Sequence, residues 1–175
     1  MRLTPFSYVV LTLVGEGGAT APELAEMRDR GRIYWQAPRS QWYAEPKRLA
    51  EAGLLAPQEE PGRTGPRTRY RLTDAGRAAV TEWVRTPAGL PKLQQEGVVR
   101  LLAADLAEPG DVLAGLTAMR EELAGAREAV REGERVAPEL GARGERLLVN
   151  HRLAHRMLDA LEQWLDEVEP LLGGR

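Results

Sequence analysis

The chain has 175 residues, with 24 Lys and Arg against 26 Asp and Glu, a formal net charge of −2 and no cysteine. That length holds one sizeable core or two small lobes, and the missing cysteine excludes disulfides, thiolate chemistry and the usual Cys-based zinc sites. No apolar run approaches a membrane-spanning length and the first residues lack an export signal, so a cytoplasmic protein without membrane contact is expected.

Thr4-Pro5 reads as N-cap and first residue of a helix running to about Val14, with Phe6, Val9, Val10, Leu13 and Val14 at helical spacing. Thr20-Ala21-Pro22-Glu23 is a capping box that starts a second helix, closed by Gly31. A third helix is expected from roughly Ser40 to Ala52, ended by Gly53. Pro46 lies inside it, and an internal proline costs about 3 kcal/mol or more, so a kink or a late start near Glu45 is expected. Leu54 and Leu55 begin a strand, residues 60–66 form a turn, and Arg69 to Leu72 return as a second strand. Thr73 then caps a fourth helix, Asp74 to Arg85.

The order helix, helix, helix, hairpin, helix describes a winged helix-turn-helix, whose third helix fits the major groove. Its groove-facing candidates are Arg39, Ser40, Gln41, Tyr43 and Lys47, with Trp42 and Leu49 turned to the core. The stretch from Gly62 to Arg77 sets five arginines against one acid. In extended chain Arg67, Arg69 and Arg71 share one face and Tyr70 and Leu72 the other, so Arg63, Arg67 and Arg69 are candidate phosphate contacts of the wing.

Thr86-Pro87-Ala88-Gly89-Leu90-Pro91 marks a boundary between residues 1–86, a winged helix-turn-helix DNA-binding domain, and 92–175, an α-helical dimerisation domain. Charge divides in the same sense: residues 1–90 carry 13 basic and 10 acidic side chains, residues 91–175 carry 11 and 16. Such asymmetry suits an oriented binder of a polyanion. Beyond the boundary, helices are expected at about Leu93 to Leu106, Pro109 to Arg135 and Gly144 to Leu171. Their apolar stripes, Val112, Leu116, Met119, Leu123, Ala126 and Val130 on one and Leu147, Ala154, Leu158, Leu161, Leu165, Val168 and Leu172 on the other, need a partner surface. A second copy of the chain supplies it most cheaply. The fold expected is mainly α with a small β-hairpin.

Leu3-Thr4-Pro5, Tyr43 with Lys47-Arg48-Leu49-Ala50-Glu51-Ala52-Gly53-Leu54, Gly65-Pro66-Arg67 and Tyr70-Arg71-Leu72-Thr73-Asp74-Ala75-Gly76-Arg77 together resemble the PadR family of bacterial transcriptional regulators over most of residues 3–85. The second helix departs from the family pattern, with Ala21-Pro22 before Glu23-Leu24 in place of a Gly-Tyr pair. The resemblance implies a homodimeric repressor that binds a palindromic operator in double-stranded DNA and is released by a small aromatic effector. By position it places Tyr43 and Lys47 on the recognition helix and Arg63, Arg67 and Arg69 at the wing. Two other readings stay open: a MarR-like winged-helix regulator, because the Leu-Thr-x-x-Gly-Arg piece is shared with that family, and a winged helix used for protein contacts.

Trp35, Met157, Leu161 and Trp164 are candidates for an effector pocket, since aromatic and flexible apolar walls suit planar ligands. His151, His155 and Asp159 lie four apart on one helix, a spacing that also fits ordinary edge and surface positions, and no metal or cofactor is called for. No Ser/His/Asp grouping, phosphate loop or Gly-x-Gly-x-x-Gly element occurs, so catalysis is not expected.

Overall fold

Thr4 opens the first helix, α1 (Pro5–Val14): its hydroxyl accepts the Ser7 N–H at 3.3 Å while the Ser7 hydroxyl accepts the Thr4 N–H at 2.9 Å. This reciprocal cap occupies donors that a helix start leaves free. In this computed structural model, which describes residues 2–62, 65–91 and 93–173, α1 is followed by β1 (Ala19–Thr20), α2 (Ala21–Arg30), α3 (Arg39–Glu51), β2 (Leu55–Glu60), β3 (Arg67–Leu72) and α4 (Asp74–Val84). Next come α5 (Glu96–Leu102), α6 (Pro109–Thr117), α7 (Met119–Val136) and α8 (Ala142–Gly173), with turns of 3₁₀ helix at Ala103–Asp105 and Ala137–Leu140. The fold is mainly α with one small sheet, and it divides into two units.

The front unit comprises the residues up to Asp29 with Trp35–Leu90. Its sheet has the order β1-β3-β2 and is antiparallel throughout, Thr20 facing Arg69, and Glu60 facing Arg67 at the turn end of the hairpin. The two-residue β1 was not expected, being too short to leave an alternation signal. Gly18, just before it, has φ +74°, and a Cβ there would stand 2.8 Å from the Tyr70 carbonyl oxygen, so only glycine lets the turn approach β3. The core gathers Phe6, Val10, Leu11, Val14, Leu24, Trp42, Leu49, Leu55 and Tyr70, with Trp42 edge-on to Phe6 at 4.9 Å. Burying each large side chain contributes roughly 1.5–3 kcal/mol.

At the end of α3 the Gly53 N–H donates to the Ala50 carbonyl and the Leu54 N–H to Leu49, both at 2.9 Å, the paired closing bonds of a Schellman turn. Of the two outcomes expected from Pro46, a kink or a late start, the late start does not occur; α3 begins at Arg39 and continues through the proline. Pro46 is fully buried, so apolar packing of its ring offsets the bond that the Trp42 carbonyl loses.

The second unit comprises Arg30–Tyr34 with the residues from Pro91 onward. Leu116, Leu123 and Val130 meet Ala154, Leu158, Leu165 and Val168 in one apolar seam, with Ile33, Leu161 and Trp164 packed around it. The single helix expected from Pro109 to Arg135 is two. Ala118 keeps helical angles, φ −57° and ψ −23°, but its N–H is shared between the Ala114 and Leu116 carbonyls. This local tightening leaves the apolar stripe in register, which is why the sequence pattern runs on across the break. The helix expected at Leu93 to Leu106 is shorter, ending at Leu102 before the first 3₁₀ turn.

Candidate nucleic-acid interface

Along α3 the residues divide by face. Trp42, Pro46 and Leu49 are buried, while Arg39, Ser40, Gln41 and Lys47 are exposed and Tyr43 is half-buried. Arg39, Tyr43 and Lys47 are four apart and form one outward stripe. The Tyr43 hydroxyl, with Asp29 a weaker influence, raises the pKa of the Arg39 guanidinium further. On the inner flank Arg48 donates from Nε to Glu45 at 2.8 Å and from Nη2 to the Ser7 hydroxyl at 2.9 Å, which ties α3 to α1. Burial opposes ionisation of Glu45, yet bonds from Arg48 and Ser7 outweigh it and lower its pKa. The helix therefore stands on a fixed base and presents hydrogen-bonding groups and positive charge outward.

The hairpin is differently arranged. Arg67, Arg69 and Arg71 do alternate onto one face, but register brings Gln58 and Glu60 onto that face as well. Arg67 pairs through Nε with Glu60 at 2.6 Å, and its side chain is 49% exposed. Arg71 donates to the Gln58 side chain at 2.8 Å and the Gly17 carbonyl at 3.2 Å. Arg69 is only 17% exposed. Its Nε donates to Glu60 at 2.8 Å, Nη1 to Glu23 at 3.0 Å and to the Gly18 carbonyl at 3.1 Å, and Nη2 to Glu23 at 2.9 Å and to Glu60 at 3.1 Å. A guanidinium has five N–H groups, and all five are engaged. Arg63 falls outside the described residues.

Hydrogen bonds from Arg69 hold the Glu60 carboxyl below its ordinary pKa. For Glu23, burial works against the charge, but the Thr20 amide and Arg69 prevail and the pKa falls. Glu23 serves twice, accepting the Thr20 N–H at 2.9 Å as the α2 cap and holding Arg69. A count of charges from Gly62 onward misses Glu60 and Glu23. Pairing β2 with β3 at period two was the signal that puts Glu60 beside the arginines.

No protein-family model matches the chain, and no curated protein matches it. Among solved structures it is similar to the PadR-like transcriptional regulator of Bacillus cereus, with TM-score 0.78 and 16% identity over 96% of this chain and 98% of that one. Bacillus subtilis PadR in complex with operator DNA gives TM-score 0.74 and 15% identity over 99% and 98%. The same protein in complex with p-coumaric acid gives 0.61 and 16% over 96% of each chain. The fold is that of the PadR-like regulators.

Within this PadR-like fold the effector candidates fall in different units. Trp35 belongs to the front unit, where it stacks on Phe6 with ring centroids 6.4 Å apart. Leu161 and Trp164 line the apolar seam of the second unit, and Met157 is half-buried on α8. Trp164 lies against Gly97 of α5 and so has a packing role of its own. The α8 residues at four-residue spacing, His151, His155 and Asp159, all lie in the second unit. His155 is 3.0 Å from Glu134, and Asp159 pairs with Arg127 at 2.7 Å. His151 is buried against the bare Cα of Gly133, where a Cβ would stand 2.5 Å from its ring, and burial lowers its pKa. Arg32 and Tyr34 reach α7 and α8, with the Tyr34 hydroxyl donating to the Asn150 carbonyl at 2.7 Å. Desolvation, with Glu134 nearby, pushes that hydroxyl up to about 12, so it stays a donor. No helix among the described residues is long and apolar enough to cross a membrane.

Proposed function

We propose that this chain is a PadR-family transcriptional regulator that binds duplex DNA through α3 and the wing, as a homodimer, and acts by binding and not by catalysis. The observation that carries the reading is the outward face of α3. Arg39, Ser40, Gln41, Tyr43 and Lys47 stand clear of the core on a fold that Bacillus subtilis PadR presents to operator DNA. Arg and Gln suit base edges, and Lys and the half-exposed Arg67 suit phosphate. In this reading residues 1–86 are the DNA-binding domain and 92–175 the dimerisation domain.

Dimerisation is supported by apolar side chains left exposed in the second unit, among them Leu102 at 76%, Leu106 at 85% and Leu153 at 52%. A two-fold pair would read a palindromic operator and repress by occupying a promoter. A planar aromatic effector is the ligand class proposed, in line with the p-coumaric acid held by Bacillus subtilis PadR, with Met157, Leu161 and Trp164 as candidate contacts in the second unit and Trp35, taken separately, in the front unit. The test is fluorescence anisotropy with duplex from upstream of the chain's own gene, with sedimentation velocity on the same sample. The expected result is a dimer with salt-sensitive, sequence-selective binding. Binding absent at low salt would reject it and favour a protein-contact module.

A further inference from the structure

Two arginines of the wing, two residues apart on one face, stand in opposite circumstances. Arg67 is half-exposed and pairs with Glu60 through Nε, with Glu23 4.0 Å from Nη1. Arg69 is three-quarters or more enclosed and has every donor engaged by Glu23, Glu60 and Gly18. A phosphate approaching Arg69 would have to displace one of these bonds, each charge-assisted bond being among the stronger ones a protein makes. We propose that Arg69 is a positioning residue, a latch that holds the wing at a fixed angle to the start of α2, and that it makes no phosphate contact.

The path of the latch supports this role. It runs from the Thr20 N–H to Glu23, across Arg69 to Glu60 and on to Arg67 at the base of the wing tip. It spans the sheet where backbone pairing is weakest, since β1 contributes only Ala19 and Thr20. The short pairing of β1 with β3 leaves the angle of the hairpin to α2 loosely specified, and a bidentate guanidinium between two carboxylates specifies it. This deepens the DNA-binding reading and rests on it for its functional consequence. Glu60 and Glu23 become assisting residues, although their charge alone would repel DNA.

The two roles predict opposite results for the full-length protein titrated with sonicated duplex DNA over a salt series. As a latch, Glu60→Ala weakens binding about threefold or more despite the added positive charge, and Arg69→Lys weakens it similarly, because one ammonium cannot bridge two carboxylates bidentately. Thermal midpoints recorded alongside separate loss of wing position from loss of fold. Tighter binding by Glu60→Ala, or wild-type affinity and salt slope in Arg69→Lys, would overturn the latch and make Arg69 a restrained phosphate contact. Hydrogen exchange without DNA reads the latch independently. Both variants are expected to speed exchange of the Thr20 amide and the β3 amides, and unchanged exchange in both would overturn it. Should the wild-type protein bind no DNA, the function proposed above fails while the exchange arm still decides the latch.

Discussion

The wing and α3 both bring positive side chains to the front unit, yet the two elements treat them differently. On α3, Arg39 and Lys47 lie on a face whose inner neighbours are Trp42, Pro46 and Leu49, apolar groups that make no claim on a cation. On the hairpin, Arg69 pairs with Glu60 diagonally across the ladder and with Glu23 at the start of α2, and its charge is absorbed in the fold. The second unit repeats the wing's arrangement, with Arg127 held by Asp159 and Glu162, and Arg120 by Asp166 and Glu169. An arginine's use is thus decided by which acids the pairing of strands and helices brings within its reach, and the number of arginines in a segment does not reveal that.

The comparison breaks most severely if the base of α3 is removed. Trp42→Ala deletes a side chain that is 1% exposed and packed edge-on to Phe6, and should cost about 3–5 kcal/mol in urea unfolding, taking DNA binding with it. A cost under about 1 kcal/mol would mean that α3 does not rest on that core. Lys47→Ala should leave stability unchanged and lower affinity for all duplexes alike, with a salt slope reduced by about 1. Arg127→Ala, which unpairs two acids between α7 and α8, should lower stability in urea unfolding by up to about 1 kcal/mol and leave the salt slope alone. A change in slope would mean that this arginine also faces DNA.

The smallest effect concerns pH. His151 has a folded-state pKa below its unfolded value because it is buried against Gly133, with Glu134 and His155 its nearest titratable neighbours. The unfolded chain therefore binds the proton more readily, and stability is full above about pH 6.5 and falls as the pH drops below it. His151→Leu should flatten the thermal midpoint between about pH 6.5 and 5. Glu23 and Glu60 are also lowered, which for an acid favours the charged form, so the latch persists through that window and loosens only below the ordinary carboxylate range.

Much of the fold was legible because its signals are local. Thr4, Thr20 with Glu23, Gly53 and Thr73 each sit where a helix start or end needs that chemistry, and all four act there. The 3.6-residue stripe from Val112 to Val130 likewise foretold the buried seam. What was not legible depends on long-range pairing or on packing. Tolerance of Pro46 follows from its burial, and membership of Ile33 in the second unit's core follows from tertiary contact. The latch joins Glu23, Glu60 and Arg69, which only the sheet brings together.

Whether α3 presents the proposed cationic face to duplex DNA is decided by the salt dependence of binding for wild type, Arg39→Ala and Lys47→Ala on one upstream duplex. The expected result is a steep linear fall of log affinity with log salt for the wild type and a slope shallower by about 1 in each variant. Wild-type slopes in both variants, or wild-type binding that ignores salt, would contradict it.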